Sequence, residues 1–170
     1  MIRKNSIFLV GMRGSGKTSV GKALAEIFNW KFVDIDEEIE KETALSVYEI
    51  FKTKGEIFFR NKEHEVLEKI QSFQNTVIST GGGIVNNSKN RSILKRHFTI
   101  FLDGTPEVLF KRIEHSNRPS LTTLKPLEEF VFIYEKRLKL YENISLKRFD
   151  TTDSNIKETA FAIKRFWQEF

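Results

Sequence analysis

Eight residues near the amino terminus have the types and spacing that phosphate binding requires. Residues 11–18 read GMRGSGKT and match G-x-x-x-x-G-K-[ST], the P-loop pattern. Glycines allow the tight turn that points successive backbone N–H groups at phosphate oxygens, and the start of the following helix adds partial positive charge. In this pattern Lys17 bridges the β- and γ-phosphates and Thr18 ligates Mg²⁺. The nucleotide-binding residues predicted from this loop are Gly14, Ser15, Gly16, Lys17, Thr18 and Ser19.

The chain lacks the additional motifs of two large P-loop classes. A GTPase carries an Asn-Lys-x-Asp motif that reads guanine, but the nearest match, residues 61–64, reads NKEH and lies within a helical pattern. A larger ATPase carries an acidic residue at the end of the third strand, where residues 78–81 read ISTG. Further help in binding Mg²⁺ must therefore come from elsewhere in the chain.

Two aspartates follow the second predicted strand. Asp34 and Asp36 flank Ile35, and alternate residues of an extended segment share a face. At the carboxyl end of a strand both carboxylates would point into the crevice where open α/β sheets bind ligands. We expect Asp34 to hold Mg²⁺ through water and Asp36 to accept a hydrogen bond from the attacking hydroxyl. The alternative is that a strand-end aspartate only caps the next turn.

Two arginines and a run of glycines could bind an anionic acceptor. Glu63 follows Arg60 by three residues on one helix and could orient its guanidinium. Arg137 lies within an apolar stripe, where a guanidinium fork suits a carboxylate. Residues 81–83 are all glycine, which allows a ligand to approach the backbone. The alternatives are a solvated ion pair at Arg60, an arginine lying over the core at Arg137, and a simple turn at the glycines.

Apolar runs that alternate with helical patterns would position these residues. The predicted strands are residues 7–10, 30–35, 76–79, 98–102 and 145–150. Helix signals include a capping box at Ser46 with Gly55 as a helix end, Thr105 before Pro106, and Asn155 with Glu158 at the last helix. Fivefold alternation predicts an α/β fold with a mostly parallel sheet. The polar residues 114–125 are interpreted as a mobile loop.

Composition limits the classes of protein that the chain can be. The 170 residues fit one domain, residues 1–170, and the absence of cysteine excludes a disulfide and a thiol nucleophile. No apolar run reaches membrane length. The net charge of +5 comes from basic residues mixed with glutamate along amphipathic helices, so neither nucleic acid nor a membrane is predicted as a partner. We expect a cytoplasmic monomer.

Taken together, these residues resemble the shikimate kinase family along essentially the whole chain. The matching segments, in order, are GMRGSGKT at 11–18, FVDID at 32–36, FFR at 58–60 with Glu63, STGGG at 79–83, NRP at 117–119, and Arg137 with Tyr141. Each segment beyond the P-loop is weak evidence alone. Their common order and spacing make the resemblance specific, and the serine at position 79 in place of an acid is itself a habit of the family.

The resemblance implies a fold, a reaction and site residues. The fold would be the P-loop, nucleoside monophosphate kinase-like, three-layer α/β/α fold with a five-stranded parallel sheet in the order 2-3-1-4-5. The family transfers the γ-phosphate of ATP to the 3-hydroxyl of shikimate, in aromatic amino-acid synthesis, with Mg²⁺. The implied shikimate-binding residues are Asp36, Arg60, Gly81, Gly82, Gly83 and Arg137, within a substrate region at about 34–63, and Phe51 and Phe59 would form an apolar wall. Nucleotide contacts would come from Arg112, Asn155 and Arg118, the last in a lid at about 114–125. Lys17, Asp36 and Arg118 would be catalytic, and Thr18 and Asp34 would hold the metal.

Two departures from the family and two other functions remain open at this point. The lid reads Arg118-Pro-Ser-Leu where the family usually has Arg-Pro-Leu-Leu, and residues 150–155 lack a proline that many relatives carry. A kinase for another hydroxy acid, such as gluconate, would use the same P-loop and an arginine clamp. A nucleotide-binding regulatory or nucleic-acid-binding protein would need no acceptor pocket.

Overall fold

The computed structural model describes residues 2–114 and 123–170. Its central element is a parallel five-stranded sheet in the order β2-β3-β1-β4-β5. The strands are β1 (Arg3–Val10), β2 (Lys31–Asp34), β3 (Thr76–Ser79), β4 (His97–Asp103) and β5 (Lys147–Asp150). The sheet, its direction and its strand order are confirmed.

Eight helices cover the two faces of this sheet in the described part of the chain. They are α1 (Lys17–Phe28), α2 (Ile35–Thr43), α3 (Val47–Thr53), α4 (Gly55–Ile70), α5 (Ser88–Leu94), α6 (Pro106–Lys111), α7 (Pro126–Glu142) and α8 (Ile156–Glu169). A short 3₁₀ turn, Ile84–Asn86, follows the glycine run. None of the helices in residues 2–114 and 123–170 is long and apolar enough to cross a membrane.

Alternation along β1 explains why the sheet is covered on both sides. Ile7 and Leu9 are buried against one face, where α1 and α8 contribute side chains to the same apolar cluster. Phe8 and Val10 are buried against the other face, in an apolar cluster to which helices α2 to α7 contribute side chains. A strand whose two faces are both apolar reads as a continuous hydrophobic run, as IFLV does, and this is typical of a parallel sheet. The three-layer architecture follows.

The predicted caps at Ser46 and Asn155 form side-chain hydrogen bonds, whereas Thr105, the N-cap of α6, forms none. The Glu49 N–H donates to Ser46 Oγ, and the Ser46 N–H donates to the Glu49 carboxylate at 2.8 Å, which completes a capping box. Helix α3 ends at Thr53, and Gly55, with φ of +82°, begins α4. Pro106 is the first residue of α6, and Asn155 caps α8 by accepting from the Lys157 N–H.

Strand lengths differ from the sequence prediction. Strand β1 begins at Arg3, which pairs with His97, and β5 begins only at Lys147. Strand β2 ends at Asp34, so that Ile35 and Asp36 belong to helix α2, which the sequence did not predict. Helix α2 has a capped start and an acidic first turn that complements the positive end of its dipole. These local terms end the strand one residue early.

Candidate active site

The P-loop lies at the carboxyl end of β1 and is held in a conformation that its glycines permit. Gly11, Gly14 and Gly16 have φ values of +146°, +79° and +88°, all outside the range that other residues readily adopt. A Cβ on Gly14 would lie 2.2 Å from the backbone oxygen of Leu109. The loop therefore packs closely on α6 and leaves its inner side open to a cleft of about 390 Å³.

Lys17 occupies the floor of this P-loop cleft. Its Nζ donates to the backbone oxygens of Gly11 at 2.9 Å and Met12 at 2.8 Å, and the residue is buried. Burial of an ammonium group needs such partners, and phosphate oxygens are stronger acceptors than carbonyls. Of the other predicted nucleotide residues, Gly14, Gly16, Thr18, Ser19 and Arg112 line the cleft, and the buried Ser15 supports the loop from behind.

Arg112 ties the P-loop to the connection that follows β5. Its guanidinium donates to the backbone oxygen of Gly14 at 3.1 Å and to those of Thr151 and Thr152 at 2.6 and 3.1 Å. The Thr151 hydroxyl donates in turn to the backbone oxygens of Ser15 and Asp103. These bonds join separate segments of the chain around one wall of the P-loop cleft and support the conformation of the loop.

Asp34 and Asp36 face the P-loop cleft, but for a reason other than the predicted one. Asp34 is the N-cap of α2, and its Oδ1 accepts from the Asp36 N–H at 3.0 Å. Asp36 is in the first turn of that helix and not in an extended segment. The sequence argument from alternation was therefore wrong, and Asp34 does cap the next turn, but it also lines the cleft beside Thr18. Both side chains nevertheless line the P-loop cleft, because a cap and the first helical turn point the same way.

Thr18 and Asp34 together offer oxygen ligands to a cation. The Thr18 hydroxyl donates to Asp34 Oδ2 at 3.0 Å across the cleft. Mg²⁺ prefers oxygen ligands and is usually held by one or two carboxylates together with substrate phosphates and water. No group of three or more His, Cys, Asp or Glu side chains that could hold a metal ion is found among the described residues. The residues present fit Mg²⁺.

A second cavity, the acceptor pocket, opens beside the P-loop cleft. Arg13, Arg60, Glu63 and Arg137 provide its charge, and residues 81–83 provide backbone. Phe51 and Phe59, with ring centroids 4.9 Å apart, are joined in its apolar wall by Val47, Phe130 and Ile133. A pocket with one apolar side and several arginines suits a small ring that carries a carboxylate.

Arg60 and Arg137 are both fixed at this pocket. The Arg60 Nη1 donates to both Glu63 oxygens at 3.1 and 3.0 Å, and its Nε donates to Glu56 at 3.2 Å. Arg137 donates to the backbone oxygen of Gly82 at 3.3 Å. The hydroxyl of the buried Tyr141 donates to the same oxygen. The structure thus brings the two predicted arginines to one pocket and supports neither a solvated ion pair at Arg60 nor an arginine that only covers the core.

Burial dominates the electrostatics of Glu63. It raises the pKa of the Glu63 carboxyl to about 7; Arg60 opposes the rise, and the nearby Asp36 carboxylate adds to it. Burial lowers the pKa of Arg60, but the charges of Glu63 and Glu56 outweigh burial and the net direction is upward. Arg60 therefore stays cationic, and Glu63 is the group here whose charge responds near neutral pH.

At two of its three positions the glycine run lies too close to neighbouring side chains for a Cβ to fit without a shift. A Cβ on Gly81 would lie 2.7 Å from Glu63 Oε1 and 2.9 Å from Asp36 Oδ1, and one on Gly83 would lie 2.3 Å from the Arg60 guanidinium. Gly82 lies against the P-loop, with its Cβ position 3.4 Å from the Arg13 nitrogen. The run is therefore a close-packed backbone wall between the two cavities and not a simple turn.

Some predicted residues are not placed at the site, and some useful ones were missed. Arg118 and the predicted lid core at 115–122 lie outside the described residues. Asn155 is exposed at the start of α8 and lines neither cavity, so its contact with the nucleotide stays a prediction. Arg13 lines both cavities but stands at a position where the P-loop pattern accepts any residue. A cation inside a phosphate-binding loop was the signal that could have identified it.

Comparison with known proteins agrees with this geometry. A family model described as "Shikimate kinase" matches residues 13–168. The bifunctional shikimate kinase/3-dehydroquinate synthase of Thermotoga maritima is 44% identical over 153 residues, which cover 90% of this chain but only 30% of that protein. The shikimate kinase of Dictyoglomus turgidum is 41% identical over 166 residues, covering 94% of this chain and 95% of that protein.

A solved structure is similar over nearly the whole fold. The shikimate kinase from Acinetobacter baumannii, solved in complex with shikimate, superposes with a TM-score of 0.92 at 32% identity. The match covers 97% of this chain and 93% of that one. The similarity therefore includes both cavities and the elements that carry them.

Proposed function

Because this chain belongs to the shikimate kinase family, we propose that it transfers the γ-phosphate of ATP to the 3-hydroxyl of shikimate. The observation that carries the proposal is the border between the two cavities. Gly81, Gly82 and Arg13 line both the P-loop cleft and the acceptor pocket. A phosphate in the cleft would therefore lie next to a ring in the pocket.

The nucleotide half of the site neutralises charge. The triphosphate lies in the P-loop, where backbone N–H groups and the start of α1 contact its oxygens. Lys17 exchanges its carbonyl partners for β- and γ-phosphate oxygens. Thr18 and Asp34 would hold Mg²⁺, which would offset the negative charge of the phosphates. Arg112 supports the conformation of the loop.

The acceptor half of the site positions the hydroxyl. Arg60 and Arg137 bind the carboxylate of shikimate, while Phe51 and Phe59 contact one face of its ring. Asp36, which approaches the border beside Gly81, accepts a hydrogen bond from the 3-hydroxyl and takes its proton. The hydroxyl oxygen bonds to the γ-phosphorus as the bond to the bridging oxygen breaks, and ADP leaves with that electron pair. Positioning and charge neutralisation supply most of the rate in such transfers.

Several parts of the prediction rest on the family resemblance. Arg118 would close over the phosphates, Asn155 would contact the base, and Ser120 is the departure from the usual lid sequence. A cytoplasmic location, a monomeric state and a single domain also stay predictions.

A substrate panel coupled to ADP release tests the proposal. The purified chain is assayed with ATP and Mg²⁺ alone, with shikimate, with gluconate and with quinate, and the product is identified by ³¹P NMR. Shikimate-dependent ADP release with phosphate on the 3-hydroxyl supports the proposal. Release with gluconate alone would favour the hydroxy-acid alternative. If no acceptor in the panel causes ADP release and the chain is retained on DNA in a salt-sensitive way, the binding-protein alternative would be favoured.

A further inference from the structure

The border between the P-loop cleft and the acceptor pocket carries one ionisable side chain. Among the described residues three line both cavities, and two of them, Gly81 and Gly82, have no side chain. The third is Arg13, from the P-loop itself. A group that passes from one cavity to the other therefore passes next to this residue.

The start of the Arg13 side chain lies beside the glycine run. A Cβ built on Gly82 would be 3.4 Å from the Arg13 nitrogen and 3.6 Å from its Cγ, which are ordinary van der Waals distances, so this stem passes next to Gly82. The side chain is half-buried, which leaves it accessible to a ligand in either cavity.

We propose that Arg13 is a further catalytic residue, which donates N–H groups to the phosphoryl group throughout its transfer. The proposal rests on the proposed function. Before transfer the acceptor is the γ-phosphate of ATP, and afterwards it is the phosphate on the new ester. Arginine suits this task because its planar, always charged fork presents five donors and can keep one phosphate contact while it exchanges another. The bond changes are those given above, with no additional reactant.

The test compares three variants. Arg13→Met removes the charge and keeps much of the stem, Arg13→Lys keeps a point charge, and Arg165→Met removes the same charge from an exposed position of α8 that lines neither cavity. Removing one preorganised donor commonly lowers kcat by about 10²–10³-fold. Because Arg13 is partly exposed to solvent, we expect kcat to fall about 10- to 100-fold in Arg13→Met, less in Arg13→Lys, and by less than twofold in Arg165→Met.

A binding measurement separates a phosphate contact from damage to the loop. The affinities of ADP and of an ATP analogue with an imido β–γ bridge are measured by titration calorimetry without shikimate. Arg13→Met should weaken the analogue about tenfold and change ADP binding by less than twofold, because only the analogue has a terminal phosphate near the border. An equal loss for both ligands, or unchanged kcat and unchanged analogue binding, overturns the proposal.

The two failures are distinguishable. If the wild-type chain releases no ADP with shikimate, the proposed function fails, while a selective loss of analogue binding in Arg13→Met still supports the phosphate contact. If the wild type phosphorylates shikimate and Arg13→Met is indistinguishable from it in both measurements, the function stands and the role of Arg13 is wrong.

Discussion

The two ends of strand β4 carry buried ionisable residues in opposite situations. At the carboxyl end, Asp103 accepts from Tyr134 at 3.1 Å and from Arg148 at 2.7 Å. At the amino end, His97 is fully buried against Phe8, and neither of its ring nitrogens has a hydrogen-bond partner in the described part of the chain. Both residues belong to the same strand of the same sheet, so their surroundings alone make the difference.

The comparison separates what the sheet needs for stability from what it needs for chemistry. Burial raises the pKa of Asp103, although the Gly104 N–H, Arg148 and Tyr134 oppose that rise. Burial lowers the pKa of His97 to about 4, with Arg3 and Arg96 acting in the same direction. The carboxyl end therefore gives one oxygen of Asp103, Oδ2, two partners, although Oδ1 has no hydrogen-bond partner in the described part of the chain, whereas neither ring nitrogen of His97 has one. The amino end tolerates this imidazole only in its neutral form.

The largest effect is expected from Asp36→Asn at the carboxyl end. A positioned general base is typically worth about 10²–10⁴-fold, and we expect kcat to fall by that factor while ADP affinity stays within about threefold. Steady-state kinetics with shikimate measures it. Circular dichroism should show an unchanged fold, and turnover at the wild-type rate would refute the role of Asp36.

The matching change at the amino end is His97→Phe, which should alter stability and leave kinetics alone. Below its usual pKa of 6.5 the unfolded histidine binds a proton that the folded one refuses until about pH 4, so wild-type stability falls as the pH drops through this window. The difference between the pKa values of the unfolded and the folded histidine corresponds to a loss of about 3 kcal/mol of unfolding free energy at pH 4.

Urea unfolding of both proteins at pH 7.5 and pH 4.5 tests this. The phenylalanine keeps a ring against Phe8 but cannot titrate, so the difference in unfolding free energy between variant and wild type should grow as the pH falls. A difference that is the same at both pH values would show that His97 does not carry the acid sensitivity, and a lower kcat at pH 7.5 would break the separation of the two ends.

A smaller effect should follow from Gly83→Ala. Its Cβ would lie 2.3 Å from the Arg60 guanidinium, which must move away, and this flexible group can do so without unfolding the chain. We expect the KM for shikimate to rise about tenfold, the loss of about one charged hydrogen bond, with ATP affinity retained. Gly55→Ala is the matched control, because it adds the same atom at a strained φ with nothing within 4 Å. Equal KM values in the two variants would count against the Arg60 clamp.

The smallest effect is expected from Tyr141→Phe. It removes the hydroxyl that donates to the Gly82 oxygen, which keeps Arg137 as its other donor. We expect the unfolding free energy to fall by about 1 kcal/mol and the KM for shikimate to rise two- to fivefold. Thermal melting and steady-state kinetics check both, and an unchanged KM would mean that Tyr141 only supports the core.

The sequence predicted most of the carboxyl end of the sheet, because its chemistry is carried by short local patterns. The P-loop, the capping box at Ser46 and the parallel sheet follow from spacing and apolar runs. Strand order came from the resemblance to a family, since pairing depends on contacts far apart in sequence. Asp36 was placed correctly for the wrong reason, because the capping bond that starts α2 is a local competition that alternation does not represent.

Residues whose role depends on packing could not be predicted. Nothing in the sequence around Arg13 shows that its stem passes next to Gly82, nearly seventy residues later in the chain. The absence of partners for His97 is likewise a property of the folded neighbourhood and not of the apolar strand that contains it. Contacts between distant segments determine the position of Arg13 and the surroundings of His97. Sequence periodicity indicates only which face of a single helix or strand is buried.

The narrow border between the cavities makes the enzyme a convenient starting point for redesign. Since Arg13, Gly81 and Gly82 are the only described residues common to both, the wall formed by Val47, Phe51, Phe130 and Ile133 can be recombined in a library without changing the phosphate-binding loop. Selection for a new hydroxylated carboxylic acid would then explore the shape of the acceptor, while the donor chemistry is inherited unchanged.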